Sequence, residues 1–152
     1  MSPQGASREA EPREAGDQSG QVASFDLPAD GLAPAQARRS VEQLLLTRWY
    51  VRDQGFVDDV LLLTSELVTN AVRHGGSAVT LHVALGSDVI EIAVEDGSAL
   101  LPTQPTALAD NPYREGGRGL LIVSALASEW GIQAKPSGGK RVWARLARFT
   151  PA

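Results

Sequence analysis

Glu66 and Asn70 stand four residues apart in the stretch SELVTNAVRHGG, Ser65 to Gly76. On a helix that spacing stacks the two side chains on one face. A carboxylate so placed could take a proton from a hydroxyl or a water as a general base. The amide oxygen of an asparagine suits Mg2+, a hard cation often held by few protein ligands together with phosphate oxygens. Arg73 and His74 follow one turn further on. A half-exposed polar edge on a core helix would look the same, so this stretch alone leaves both readings open.

Two further segments carry comparable chemistry. Glu95-Asp96-Gly97-Ser98 closes an alternating apolar run. An Asp-Gly pair at a strand end is by default a turn, yet the aspartate can accept a hydrogen bond from an exocyclic amine such as that of adenine. Gly116-Gly117-Arg118-Gly119-Leu120 leads into the apolar run LLIVSAL. Glycines that open a helix let backbone N–H groups approach an anion closely, and the helix dipole favours the negative charge. A capping loop without any ligand has the same composition. The segment is not a P-loop, for no GxxxxGK[ST] occurs, and no strand leads directly into it as a dinucleotide fingerprint requires.

The elements that must position these residues are legible from periodicity. From Phe56 to His74 there is neither proline nor glycine, which favours a helix stopped by Gly75-Gly76. Val60, Leu61, Leu63, Leu67, Val68, Ala71 and Val72 share one broad arc of it, with Glu66 and Asn70 at the border. Upstream, Val22, Ser24 and Asp26 alternate with Ala23, Phe25 and Leu27 as in a half-buried strand. A helix is expected to open near Pro34, capped by Asp30 or a neighbour, and to run through AQARRSVEQLLLTRWYVRD, with Gly55 separating it from the next.

Downstream, Ala78–Leu85 and Val89–Val94 alternate around Gly86-Ser87-Asp88, a hairpin pattern. The proline-bearing segment from Ala99 to Gly117 has the length of a binding loop or lid. A short helix from about Leu120 to Ser128 follows, then a closing hairpin around Pro136-Ser137-Gly138-Gly139. In its second strand Arg141, Trp143 and Arg145 alternate with Val142, Ala144 and Leu146. Interspersed helices and hairpins predict an α+β fold, a two-layer α/β sandwich with a mixed, mostly antiparallel sheet and helices on one face.

Composition bounds what this fold can do. With 152 residues, 43% hydrophobic and 21% charged, the chain fits one soluble globular domain with a real core. It has no cysteine, which removes disulfides, thiolate metal sites and cysteine nucleophiles. Two histidines without cysteine argue against zinc, and His82 is expected to face outward with no role. A net charge of −4 argues against direct nucleic-acid binding. No apolar run reaches the roughly 18 to 20 residues of a membrane span, and the start lacks a secretory pattern, so a cytoplasmic protein is expected. Residues 1–20 are polar and read as a disordered tail, residues 21–148 as the domain, and residues 149–152 as a C-terminal tail.

ELVTNAVRHG, VEDGS and GGRGLLIV, in this order and spacing, resemble the three nucleotide-binding motifs of the GHKL (Bergerat-fold) ATPase/kinase superfamily. The resemblance is nearest to its anti-sigma-factor serine kinases, small single-domain ATP-binding regulators, and covers roughly residues 21–148. It implies ATP with Mg2+ on Asn70, and Glu66 as general base toward a serine or threonine hydroxyl. Arg73 and His74 would lie near the phosphates. Asp96 would recognise the adenine amine, with Gly97 admitting the base. Gly117, Arg118, Gly119 and Leu120 would wrap the phosphates, and Ala99 to Gly116 would form a short lid. The implied partners are a sigma factor, a small antagonist protein and a second copy of the chain. Two departures from the superfamily pattern stand out. Asp96-Gly97-Ser98-Ala99-Leu100 lacks the Asp-x-Gly-x-Gly pattern, and Arg141 follows Gly139-Lys140 where many relatives place a threonine. A binding module without catalysis, nucleotide-sensing or nucleotide-free, is the alternative these departures keep open.

Overall fold

The computed structural model describes residues 20–75, 78–97 and 115–148, with the side chains of residues 74, 75 and 115–119 left aside. The expected tails at residues 1–19 and 149–152, and nearly all of the expected lid, lie outside the described residues.

Strand β1 (Gln21–Leu27) is followed by helix α1 (Ala33–Gln43) and the long helix α2 (Gln54–Gly75). The hairpin β2 (Val79–Leu85) and β3 (Val89–Asp96) comes next. Helix α3 (Glu115–Leu126) and the hairpin β4 (Glu129–Ala134) and β5 (Lys140–Ala147) complete the described chain. The five strands form one sheet in the order β1-β2-β3-β5-β4, and every described pairing is antiparallel. The α+β sandwich expected from the sequence is what forms.

Alternation decides which face each strand buries. Val79, Leu81, Val83 and Leu85 of β2, Ile90, Ile92 and Val94 of β3, and Val142, Ala144 and Leu146 of β5 all turn toward the helices. Helix α2 answers with Val57, Val60, Leu63, Leu67, Val68 and Ala71, each at most 1% exposed. It packs against α1, α3 and strands β2, β3 and β5, which makes it the spine of the helical layer. Burying each of the valine and leucine side chains contributes about 1.5–3 kcal/mol. Thr64, on the same face, settles its hydroxyl on the Val60 carbonyl at 2.8 Å.

Two boundaries differ from expectation. The first helix does not continue to Asp53. Past Gln43 the backbone widens into one π turn, Leu44–Arg48, and Tyr50 takes a left-handed φ of 54°. The wide turn keeps Leu44 and Leu45 in the core while redirecting the chain. Gly55 is no separator either, for it lies in the first turn of α2. The break is Asp53, whose carboxylate accepts the Phe56 N–H at 3.1 Å and caps the helix. Asp30 likewise holds the turn before α1, accepting the Leu32 N–H at 2.9 Å, and no side chain caps α1 itself.

Candidate functional site

Three parts of the chain meet at one end of the sandwich. Only residues 76–78 separate α2 from β2, so the last turns of α2 lie at the edge where β2 begins. There β3 ends, since Thr80 pairs with Glu95, and β5 begins, since Asp96 pairs with Lys140. Helix α3 closes two residues before β4, at the opposite edge. Its 12 residues, about 18 Å of helix, therefore carry its first turn back toward the edge that holds Asp96.

On α2, Asn70 is 4% exposed, and neither its amide nitrogen nor its oxygen has a hydrogen-bond partner among the described residues. Leaving such a group unpaired costs about 1–3 kcal/mol, so a buried orphan amide calls for a partner such as a water, an ion or a ligand. Its donor and acceptor suit a hydrated Mg2+ and phosphate oxygens, and in that respect the residues present fit the group that the motif implies. Glu66, one turn earlier on the same face, is half-buried, and Arg73 is exposed. The side chain of His74 is not among those described.

The glycine-rich motif lies differently from expectation. Gly117, Arg118 and Gly119 are already helical, because α3 starts at Glu115 rather than near Leu120. Glycine tolerates helical backbone angles at about 1 kcal/mol relative to alanine. The buried Leu120 and Val123 anchor the helix strongly enough to carry that cost. The first-turn N–H groups, which have no partner within the helix, thus belong to residues 115–118.

At the sheet edge, Asp96 points inward and is 4% exposed, with Gly97 exposed beside it. The residue that sequence reasoning passed over is Lys140. Its ammonium lies 3.1 Å from Oδ1 and 3.0 Å from Oδ2 of Asp96, and both side chains are fully buried. Removing one partner of such a pair costs about 3–5 kcal/mol, because the other charge stays buried alone. Arg141 faces the other way. It reaches Glu91 at 3.3 Å and Gln133 at 3.5 Å on the outer face of the sheet. The departure at Arg141 therefore lies off the site, and the side chain facing Asp96 is one residue earlier. The alternation of Arg141 with Val142 carried that signal in the sequence.

Gly139 explains how the two strands come so close at this point. Its φ is +88°, and a Cβ there would strike the Asp96 carbonyl oxygen and lie 3.0 Å from the Gly97 Cα. The left-handed geometry and the close approach both require glycine.

The outer face carries a separate polar array. The Ser24 hydroxyl lies 2.9 Å from His82 Nδ1, and His82 Nε2 lies 3.5 Å from Glu95. Glu95 also meets Lys135 at 2.9 Å. Burial pushes the Glu95 carboxyl up. The Lys135 hydrogen bond and the charges of His82, Lys135 and Arg141 outweigh that and hold it below 4.5. Among the described residues no group of three or more histidine, aspartate and glutamate side chains is placed to bind a metal ion.

The model of the histidine kinase-like ATPase domain matches residues 27–146, most of the chain. The chain belongs to that family. Membership implies ATP binding. Among solved structures, the chain is similar to that of the RsbU and RsbW domains of Rv1364c from Mycobacterium tuberculosis, with a TM-score of 0.61 at 22% identity. The similarity covers 86% of this chain and 34% of that one, and it bears on the fold alone. No curated protein matches the chain. No helix among the described residues is long and apolar enough to cross a membrane.

Proposed function

We propose that the protein is an ATP-binding regulator of the anti-sigma-factor kinase type, working in the cytoplasm to control transcription. It would hold a sigma factor, phosphorylate a serine or threonine on a small antagonist, and work as a homodimer. The observation that carries the nucleotide reading is the buried amide of Asn70, which has no hydrogen-bond partner among the described residues.

In this reading Asn70 holds Mg2+ and phosphate oxygens, with Arg73 and His74 adding positive charge near the phosphates. Of residues 117–120, Gly117 and Arg118 bring first-turn backbone N–H groups to the same anion. Asp96 accepts from the base, and Gly97 leaves room for it. Bound Mg2+ would supply charge neutralisation on the phosphates. Glu66, one turn from Asn70, takes the proton of the acceptor hydroxyl, and most of the catalysis rests on positioning.

Calorimetric titration with ATP, with and without Mg2+, tests this on the wild type and Asn70→Ala. Mg2+-dependent binding that falls by about tenfold or more in Asn70→Ala, the loss of a charge-assisted contact, is the expected result. Binding unchanged by the substitution would remove Asn70 from the site, and no binding at millimolar ATP would remove the kinase reading. A second reading, a partner-switching module without phosphotransfer, is favoured by the ammonium already seated on the Asp96 carboxylate. Phosphotransfer from labelled ATP to a candidate antagonist, compared between wild type and Glu66→Gln, separates the two.

A further inference from the structure

Strand β1 is an outermost strand of the sheet, and among the described residues no strand or loop pairs with its free side. In an antiparallel pair only alternate residues turn their N–H and C=O groups toward the neighbour, so about half of these groups in β1 face away from β2. Such an edge is a template for another strand unless lysine, proline or a bulge blunts it. β1 has none of the three. Its sequence QVASFDL holds neither lysine nor proline, and its 7 residues pair with β2 one for one. Asp26, its one charge, leans across to accept the Thr80 hydroxyl at 3.3 Å.

A groove of about 540 Å³ runs along this edge. Residues 24–27 of β1 form one wall, and Gln36, Arg39, Ser40 and Gln43 of α1 form the other. The four helix positions follow the spacing of a single helical face, so the wall is a polar stripe. Three strand steps and seven helix steps both span about 10 Å, and the two walls match in length. Arg39, in the middle of the stripe, is exposed, and its guanidinium has neither an ion pair nor a hydrogen bond with any described residue.

We infer that this groove binds an extended acidic segment of a partner protein by strand addition to β1. Backbone pairing along β1 holds the segment, and every second side chain points toward α1. There Arg39 takes a carboxylate, with the amides of Gln36 and Gln43 as flanking donors. A second copy of the chain fits less well. Paired at β1 across a two-fold axis, it would set its own α1 stripe against this one, arginine facing arginine and no carboxylate between them. The inference stands apart from the nucleotide reading, for none of these residues belongs to the proposed ATP site.

The test is fluorescence anisotropy of the full chain with labelled heptapeptides, one alternating valine and glutamate, the other valine and lysine. The glutamate peptide is expected to bind with a Kd below about 1 mM, and about tenfold or more tighter than the lysine peptide. Methylating every second backbone amide of the glutamate peptide, along each of its two edges in turn, should weaken binding by about tenfold or more for one edge. Arg39→Glu, at an exposed position, is expected to reverse the preference for glutamate over lysine and to leave titration with Mg2+ and ATP unchanged. Equal binding of the two peptides, indifference to methylation on both edges, or a preference that survives Arg39→Glu overturns the inference. No binding by a chain that sediments as a dimer assigns the edge to a second copy and overturns it. No binding by a monomer overturns it as well. Each of these failures leaves the ATP reading where it stands.

Discussion

At the scale of single residues, the site edge is governed by three side chains and one missing Cβ. Asn70 is buried without a hydrogen-bond partner among the described residues, Asp96 and Lys140 are buried with each other, and Gly139 lets the two strands meet. Gly139 acts through backbone geometry as well as space, so its replacement has a definite sign. Gly139→Ala is expected to destabilise the protein by at least about 1–3 kcal/mol from left-handed strain, with the contact against Asp96 adding to it. Urea denaturation measures this, and a variant as stable as the wild type would contradict the turn geometry. Gly138, with φ of +102° and open space around it, isolates the strain term alone. Gly131 shows a third use of glycine. A Cβ there would lie 2.8 Å from the indole of Trp143, whose ring Arg145 also covers, 4.8 Å from its centroid.

At the scale of elements, α2 carries both the core and the candidate catalytic face. Seven apolar positions were legible from the 3.6-residue period. Val60, Leu63, Leu67, Val68 and Ala71 are fully in the core, while Leu61 and Val72 pack at its margin. Asn70 and Glu66 sit at that border because helical spacing leaves them nowhere else. Neighbouring leucines should therefore differ sharply. Leu63→Ala is expected to cost about 2–5 kcal/mol through loss of burial and the cavity left behind. Leu62, 42% exposed, should change stability by only about 0.5 kcal/mol on the same substitution. Equal effects in chemical denaturation would mean that the face has been misassigned. Boundaries were less legible than faces. The π turn after Gln43 and the early start of α3 both arise from tertiary docking of Leu44, Leu45 and Leu120, which local propensity does not encode.

For the molecule as a whole, the sheet separates two chemistries. Its inner face meets the helices and ends in the Asp96–Lys140 pair. Its outer face carries ionic contacts that tie the strands together, among them Arg145 to Glu91 at 3.0 Å and Lys135 to Glu95 at 2.9 Å. Because the folded protein lowers the Glu95 pKa below its unfolded value near 4.5, the stabilisation is fully present above that value. It is lost as pH falls through the lower, folded value. Glu95→Gln should accordingly be less stable than wild type near neutrality, with the gap closing as pH drops below about 4.5. Urea midpoints at several pH values measure it. A gap that stays constant down to pH 3 would show that the carboxylate's charge is not what Glu95 contributes.

Legible in the sequence were the α+β class, the order of elements, the alternating faces of four of the five strands and the helical pairing of Glu66 with Asn70. Each follows from a local period of two or 3.6 residues, together with glycine and proline at the breaks. Only the tertiary structure decided which residue confronts Asp96. Cross-strand register is a long-range property, set where β3 and β5 meet through Gly139, and it brings Lys140 inward while sending Arg141 out. It likewise decided that Asn70 is buried without a hydrogen-bond partner among the described residues, since burial depends on what packs around a helix and not on the helix alone.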